Sequence, residues 1–418
     1  MFHLPHQKPG PGPSHRTRRG RRRTSAAVVA LAILFSGLLS PSPAAASPRL
    51  TQSGSNLTVV GTNAPETIEI IAANTPGVFQ VSVTAGSDTV AEIFTGVTGR
   101  VLVRSLGGDD TLIVNSRAHL PFGGDFTFDG GSGDDTLQIP VDSQVVIEGR
   151  LIVRGGAGDE TIRLGIETKV ARTAQIVSGA GRLNVFMRAA EFGGRLDITG
   201  GSAADLVQIS DSRFLGGLKV RTGAGDDVVD LTYNRYTRLE IDTSSGYDTV
   251  ETFSNIADTL VVRTGGQDDD IELGFSQADT ATVSTGPGND VFTTEGLVVR
   301  DRFTVRGDGG NDQLTIEAGE SGRTTIQAGS GNDAIRLDGP TVTDIAVIDA
   351  GSGDDSTAIG DTEFRNNLTW RGGAGGDFIA LTDSIFDRSA VADGGSGSDT
   401  GLYVGNTFAK PLLTRNIP

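Results

Sequence analysis

Hydrophobic residues recur in fixed columns when most of the chain is aligned on a repeat of about 22 residues. Within each unit the apolar positions alternate with polar ones, which is the period of a strand that buries one face. Each unit begins with a six-residue turn of the form x-G-x-G-x-D, as in the copies that start at Gly130, Gly155 and Ala328. The pattern predicts two or three short strands per unit and no helices.

Sixteen unit starts can be placed, at residues 61, 83, 105, 130, 155, 178, 200, 222, 243, 264, 285, 307, 328, 350, 372 and 394. The position two residues before each start is apolar throughout, from Val59 to Trp370 and Ala392. A column that stays apolar over the whole repeat indicates coils stacked ~4.8 Å apart. We therefore predict an all-β parallel β-helix, a β-solenoid of about 16 coils, as a single domain over residues 47–418. A β-sandwich is the alternative fold, and the coil could have two or three sides.

Charged residues just before the unit starts alternate in sign. The column reads Arg104, Asp129, Arg154 in one stretch and Arg221, Asp242, Arg263 in another. Residues so far apart in sequence have no reason to alternate unless they touch, so this column predicts direct contact between neighbouring coils.

Composition agrees with a narrow stack of strands. The chain has 59 Gly, only 6% aromatic residues and no Cys. The absence of Cys excludes disulfides, thiolate metal sites and thiol catalysis. Glycines at the turns and small or β-branched side chains in the core are what a repeated coil requires.

The first 46 residues differ from the rest. Seven basic residues and no acid precede an apolar run from Ala26 to Leu39, and Ala44-Ala45-Ala46 follows. A basic segment, a short apolar run and a small-residue cleavage site predict a secretory signal peptide over residues 1–46. Arg pairs raise a twin-arginine route, and a basic nucleic-acid-binding arm is the other interpretation of this segment. We expect the product outside the cytoplasm, secreted or at the cell surface or in the periplasm.

Removal of that segment makes the chain more acidic. The formal charge of the whole chain is −17, and without the seven basic residues 28 basic and 52 acidic residues remain, a charge of −24. Such a charge disfavours nucleic acids and anionic membranes as partners. No second apolar span is visible, so we expect no membrane span in the mature chain, and we expect a monomer.

The sixth position of the turn is almost always a carboxylate. Stacked coils would place like charges ~5 Å apart, which requires exposure to solvent, protonation or bound cations. Gly at the second and fourth positions lets backbone carbonyls turn inward, and oxygen-rich sites of this kind suit Ca²⁺. A metal-free polar corner is the alternative, since Asp also caps turns locally. Among the carboxylates at this position are Asp110, Asp135, Asp205, Asp227, Asp248, Asp269, Asp290, Asp312, Asp333, Asp355, Asp377 and Asp399.

The turn resembles the calcium-binding repeat of RTX (haemolysin-type) secreted proteins. In that family the Asp of the turn ligates Ca²⁺ beside turn carbonyls, and the resemblance implies several Ca²⁺ ions at the residues just named. RTX motifs recur every nine residues, whereas here one recurs per 22. The longer coil is similar to the right-handed β-helix of pectate-lyase-like proteins, which implies a right-handed coil.

Enzymatic activity has weaker support than a structural role. Asp230, Glu251 and Glu272 fall in successive coils on an outward column, but no basic column accompanies them, so a solvated face is favoured. His119 is the single histidine after residue 46 and lies in a longer unit, which suggests a looped-out segment. We expect a calcium-binding solenoid with a structural or surface-binding, adhesin-like role. Its partner would be a cell-surface or extracellular polysaccharide or protein. A polysaccharide-active enzyme is the alternative.

Overall fold

The computed structural model describes residues 47–116 and 121–418. These residues form one compact unit that contains β-strands and, within those ranges, no helix. The predicted signal peptide over residues 1–46 and the predicted loop at His119 lie outside the described residues. The expected all-β parallel solenoid is confirmed, with about 14 turns of about 22 residues.

Each coil carries up to three strand segments, which we call the leading, middle and short strands. The leading strands, five of which are continuous with a short strand, are Asn56–Val60, Val101–Gly107, Phe126–Ser132, Leu151–Ala157, Ala174–Val177, Leu196–Thr199, Leu218–Arg221, Arg235–Asp242, Ile256–Arg263, Gln277–Pro287, Val298–Gly309, Glu320–Ser330, Ala346–Ser352, Leu368–Ala374, Ala390–Ser396 and Leu413–Arg415. The middle strands are Glu66–Ala72, Thr111–Ser116, Thr136–Ile139, Glu160–Leu164, Leu183–Arg188, Leu206–Ser210, Val228–Thr232, Thr249–Phe253, Asp270–Gly274, Val291–Glu295, Gln313–Glu317, Ala334–Asp338, Ser356–Gly360, Phe378–Thr382 and Thr400–Val404. The separate short strands are Pro121–Phe122, Val146–Ile147, Lys169–Val170, Glu191–Phe192, Arg213–Phe214, Thr341–Val342, Glu363–Phe364, Ile385–Phe386 and Thr407–Phe408.

The strands form two sheets that run the length of the solenoid. Leading and short strands belong to one sheet, and middle strands to the other. Pairing between coils is parallel and joins equivalent residues, as in Val229 with Val250 and Val250 with Ile271. The GxGxD turn connects the leading strand to the middle strand, so every copy of the turn lies at the same corner.

Side chains from both sheets meet in one narrow core. The predicted apolar column before the turns is buried throughout, including Trp370, whose indole N–H donates to the Thr357 hydroxyl at 2.9 Å. The aromatic column at the short strands stacks face to face, with 5.3 Å between the ring centroids of Phe192 and Phe214 and 5.1 Å between those of Phe214 and Tyr236. Stacking at the coil spacing explains why so few aromatic residues suffice.

The alternating charge column also has the predicted register. Arg104 pairs in the sheet with Asp129, and Asp129 with Arg154. The Arg104 guanidinium lies 3.7 Å from the Asp129 carboxylate, with both side chains about half exposed. Exposed pairs of this kind contribute little energy, so their value here is as evidence for the stacking.

The prediction of a coil at residue 83 was wrong. Residues 66–94 form an antiparallel meander, in which Glu66–Ala72 pairs with Phe79–Ala85 and that strand pairs with Asp88–Phe94. The two-residue link Gly86-Ser87, with φ of +58° at Gly86, is a hairpin turn and not a degenerate copy of the repeat. Asp88, the sixth residue of the unit predicted at residue 83, is therefore an exposed hairpin residue and does not align with the carboxylates of the turns. The leading strand Asn56–Val60 pairs directly with Val101–Gly107 instead.

Candidate functional site

The GxGxD turn is shaped by the close approach of neighbouring coils. Gly131 and Gly133 have φ of +111° and +119°, which L side chains rarely adopt. A Cβ atom at Gly131 would also overlap the backbone carbonyl of Leu106 in the preceding coil. The glycines are thus required by both backbone conformation and space, as the sequence predicted.

The twelve predicted ligands all lie at this corner and are buried, with 0–3% of each residue exposed. In every case the carboxylate Oδ1 atom accepts the backbone N–H of the equivalent residue one coil earlier, at 2.7–3.0 Å. Asp269, for example, accepts from the N–H of Asp248, and its own N–H donates to Asp290. We call this series the carboxyl column. It ties neighbouring coils together by buried side chains, except around Glu160 and Leu183.

The second oxygen of these carboxyl groups has no such partner. Asp205 Oδ2 receives the Gly201 N–H at 3.3 Å. The other eleven Oδ2 atoms are buried without a hydrogen-bond partner among the described residues: those of Asp110, Asp135, Asp227, Asp248, Asp269, Asp290, Asp312, Asp333, Asp355, Asp377 and Asp399. A buried polar atom without a partner costs free energy and calls for a proton, a water molecule or an ion.

A backbone carbonyl oxygen lies near the unpartnered oxygen in some coils. A Cβ atom placed on Gly130 would lie close to Asp135 Oδ2 and 2.6 Å from the carbonyl oxygen of Gly155 in the next coil. Where Thr occupies the first turn position, the hydroxyl donates to a carbonyl of the next coil in three cases, as Thr264 Oγ1 donates to the Thr285 carbonyl at 2.9 Å, whereas the Thr222 hydroxyl has no hydrogen-bond partner among the described residues. A neutral carboxyl group could donate its proton to such acceptors, whereas an ionised one would face them without compensation.

Burial raises the pKa of most of the Asp side chains of the carboxyl column because the ionised form loses its hydration. For Asp269 the pKa is raised from 3.8 to about 7, mainly by burial and against the opposing effect of the Asp248 N–H. The charges of Asp248 and Asp290 contribute to this increase. The pKa values reach about 7 for Asp110, Asp227, Asp312 and Asp355 and about 6 for Asp135 and Asp205, with burial as the largest cause in each. Much of the column is therefore neutral at mildly acidic pH.

The donor set around each unpartnered oxygen fits Ca²⁺ poorly. Ca²⁺ takes six to eight oxygen ligands. Here one carboxylate oxygen of each Asp is already occupied by a backbone N–H, and what borders the other is a carbonyl and, in some coils, a hydroxyl. No group of three or more acidic or histidine side chains positioned for a metal occurs in residues 47–116 and 121–418. Calcium binding at the twelve residues stays a prediction.

A second series of side chains runs along the outside of the same corner. Asp109 Oδ1 accepts the N–H of Asp134 at 2.9 Å, and Asp134 Oδ1 accepts that of Asp159 at 2.8 Å. Donors and acceptors run in the opposite direction from those of the carboxyl column. These side chains are exposed, so water can hydrate their charges.

One coil shows what happens when the carboxyl group is missing. Leu183 occupies the column position and is buried, and the N–H of Glu160 donates instead to the backbone carbonyl of Arg182 at 2.7 Å. Leu183 still donates its own N–H to Asp205 at 2.7 Å. The stack therefore tolerates one apolar interruption when a backbone acceptor replaces the carboxyl group.

A groove of about 420 Å³ lies on the outer face of the middle-strand sheet. Its floor includes Gln138, Gln208 and Asp230 from the outward column, and the Arg163 guanidinium lies 5.2 Å from the Phe186 ring centroid. Pro140 and Val141 also line it. Of the three predicted acidic residues of the outward column, only Asp230 lines the groove, where it accepts the Thr232 hydroxyl at 3.0 Å.

The structure also reveals a feature that the sequence analysis missed. Tyr233, Phe253 and Phe275 are exposed side by side near the ends of three successive middle strands. The apolar columns predicted a buried core, and these residues fall outside them. A signal was present, because two of the three occupy a turn position that small or polar residues fill in most other coils.

No family model matches the chain, and no curated protein matches it. The resemblance to RTX and pectate-lyase-like proteins thus rests on the turn motif and the coil length, and the structure supports the coarser statement of a β-solenoid. Within the part of the chain that the structure describes, no helix has the length and apolar character needed to cross a bilayer.

Proposed function

We propose that the protein is a secreted, acidic β-solenoid with a structural or surface-binding role at or outside the cell surface. The observation that carries this proposal is the set of side-chain hydrogen bonds that runs along the solenoid axis. The carboxyl column contributes twelve such bonds. Secretion rests on the basic and apolar pattern of residues 1–46.

Hydrogen bonds along the axis suit a solenoid whose coils must stay in register. Each coil of a solenoid contacts only its neighbours, so stability is a sum of coil energies and interface energies. A slip by one residue would move every Asp of the column out of the corner and expose the apolar face of the strand. Side chains that bond only in one register therefore favour a single rigid stack, which presents its outer faces in a fixed arrangement.

Calcium at the turns is a separate part of the proposal. If Ca²⁺ binds the native state alone, the midpoint of thermal unfolding must rise with Ca²⁺ concentration, by mass action. The measurement is circular dichroism during heating, in chelator and in a series of Ca²⁺ concentrations. An unchanged midpoint would remove calcium from the account and leave the hydrogen-bonded column as the element that holds the coils.

A polysaccharide-active enzyme is a second candidate, favoured by the groove with Arg163, Gln208 and Asp230 on its floor. Among the described residues, Asp230 is the only carboxylate that lines it, whereas paired carboxylates are the usual requirement for cleaving glycosidic bonds. The test is release of reducing ends or unsaturated products from a panel of polysaccharides. Product release that Asp230→Asn abolishes would favour the enzyme over the structural role.

The main proposal is tested by expressing the whole chain in a bacterial host and locating the product. We expect a processed chain that begins near residue 47 and that sediments with cell envelopes or extracellular polymer. An unprocessed chain retained in the cytoplasm would contradict the proposal. So would an exported product that binds no envelope or polymer and whose unfolding is unaffected by loss of the column bonds.

A further inference from the structure

Three aromatic side chains lie exposed in a row on the outer edge of the middle-strand sheet. Tyr233, Phe253 and Phe275 come from successive coils and are 58%, 40% and 48% exposed. Their ring centroids are 5.9 Å and 5.5 Å apart, in edge-to-face contact. We call these three residues the aromatic row. Rings that remain about half exposed contribute little free energy through burial, so packing of the core does not explain why these positions are aromatic.

The backbone makes the placement more unusual. Tyr233 and Phe275 have φ of +58° and +48°, a conformation that bulky L-residues disfavour. In other coils the same turn position carries mostly small or polar residues, namely Ala189, Asp211, Ser254, Gly296, Ala318, Gly339, Asp361, Asp383 and Gly405. An aromatic residue there adds backbone strain without burying its ring. Strain of this kind that the fold does not require points to a functional role.

Neighbouring residues hold the row in place. Asn234 follows Tyr233, accepts the Ser212 N–H at 2.8 Å and donates its amide to the Ile209 carbonyl at 2.8 Å. Gly274 and Gly296 leave room for the rings, because Cβ atoms there would lie 2.9 Å from the Phe253 ring and 2.8 Å from the Phe275 ring. The row is therefore set before any partner arrives, which lowers the entropy cost of binding.

Unpaired negative charge lies beside the row. Asp230, Glu251 and Glu272 are in-register neighbours in three successive coils. Glu295 and Glu317 lie in the next two coils, two residues further along the strand, in register with Gly274. None of these five forms an ion pair with another described residue. A face with aromatic rings and unneutralised carboxylates favours a cationic partner, which gains both ion pairing and contact with the ring faces.

The spacing of the carboxylates selects the kind of cation. Each coil supplies one carboxylate every ~4.8 Å along the axis. An extended peptide repeats its side chains on one face every ~6.6 Å, which falls out of step with the coils. A linear glycan in an extended conformation advances by about one coil spacing per sugar. It can therefore lay successive sugar faces on successive rings, while its amines, which are carried on the chain itself, reach carboxylates of that face.

We propose that this face binds a linear polysaccharide of amino sugars with free, positively charged amines, with the chain running along the solenoid axis. The inference rests on the proposed surface-binding role and names its partner. The amines meet Asp230, Glu251 and Glu272, and the sugar rings contact the aromatic row. The acidic face disfavours an anionic glycan.

The test is isothermal titration of the mature chain with a short, fully deacetylated glucosamine oligomer at mildly acidic pH. The N-acetylated oligomer has the same backbone without charge, and we expect it to bind at least about tenfold more weakly because both ion pairing and cation–π contacts are lost. Phe253→Thr and Glu251→Gln should each weaken binding of the charged oligomer by about threefold. Tyr247→Ser and Glu148→Gln are the matched controls, since both residues are exposed elsewhere and should leave binding unchanged.

Circular dichroism of each variant establishes that the fold is retained. Equal binding of the charged and acetylated oligomers would overturn the proposal, as would equal losses in the control variants. Preferential binding of polylysine through the same residues would also overturn it, in favour of a basic protein partner, while leaving a surface-binding role intact. Failure of the proposed function itself shows differently, as loss of export or of envelope binding in the unmodified protein.

Discussion

Replacement of Asp269 by Asn tests the role of the carboxyl column at a single atom. Asp269 Oδ1 accepts the Asp248 N–H at 2.9 Å, and Asp269 Oδ2 has no hydrogen-bond partner among the described residues. Asn keeps the accepting oxygen and places an N–H₂ group where Oδ2 lies. That group can donate to the oxygen of the Thr264 hydroxyl, which lies beside the Asp269 carboxyl group, as a neutral carboxyl group would.

The expected effect depends on pH, since burial raises the pKa of Asp269 from 3.8 to about 7. Above both values, holding the buried carboxylate ionised costs about 4 kcal/mol, because one pKa unit corresponds to about 1.4 kcal/mol. Asn cannot ionise and avoids this cost. In chelator at pH 8 we therefore expect Asp269→Asn to raise the free energy of unfolding by about 1–4 kcal/mol. At pH 4 the two proteins should be nearly equal.

Asp269→Ala is the matched control, because it removes the acceptor as well as the charge. The Asp248 N–H then stays buried without a partner, at a cost of about 1–3 kcal/mol. We expect Ala to be less stable than Asn at every pH. The assay is urea unfolding followed by circular dichroism. Free energies of unfolding are compared between proteins that show the same slope against urea concentration. If Asn were as destabilising as Ala at pH 8, an ionised carboxylate or a bound cation would be needed there, and the reasoning would fail.

Three further predictions concern the same fold. The folded-state pKa values of Asp110, Asp227, Asp269, Asp312 and Asp355 lie above the unfolded value, so the folded state binds more protons between pH 4 and pH 7. Stability in chelator should therefore fall as pH rises over that range, and a rise with pH in urea unfolding would contradict this. Gly329→Ala should lower the free energy of unfolding by more than about 1 kcal/mol, because φ is +123° and a Cβ would overlap the Asp308 carbonyl. Gly339→Ala, with φ of +79° but open space around the position, should lower it by less in the same assay. Trp370→Phe should lower the free energy of unfolding by about 1–3 kcal/mol, because it leaves a cavity in the core and removes the hydrogen-bond donor to the Thr357 hydroxyl. An unchanged urea midpoint would contradict the buried position of Trp370.

Most of the fold could be predicted from the repeat. Columns of apolar residues and alternating charges can be recognised without a structure because equivalent residues of successive coils are direct neighbours. Alignment on the repeat gives a wrong prediction where a local turn replaces a coil. At Gly86-Ser87 a hairpin turn imitates a degenerate copy of the motif, and only pairing to Glu66–Ala72 settles that the segment runs antiparallel.

The twelve Asp residues lie in one column, as their spacing in the sequence indicated, but the chemistry of that column could not be derived from spacing. The sequence placed the twelve Asp residues in register, whereas the orientation of each carboxyl group depends on the backbone N–H one coil away. Their burial, with only 0–3% of each residue exposed, could likewise not be predicted, since a polar residue in a turn is ordinarily exposed. The aromatic row was missed because Tyr233 and Phe275 interrupt a column of small or polar residues, and the three rings do not form an apolar column of their own.

Direct titration of the carboxyl groups tests the central claim, that the coils are held together by a buried column of largely neutral Asp side chains at mildly acidic pH. The measurement is the carboxyl ¹³C chemical shift of Asp-labelled mature chain across the pH range, in chelator. The account predicts a group of Asp resonances that titrates near pH 6 to 7, including those of Asp227, Asp269 and Asp312, whose pKa values burial raises to about 7. Titration of every Asp resonance near the ordinary value of 3.8 would contradict it.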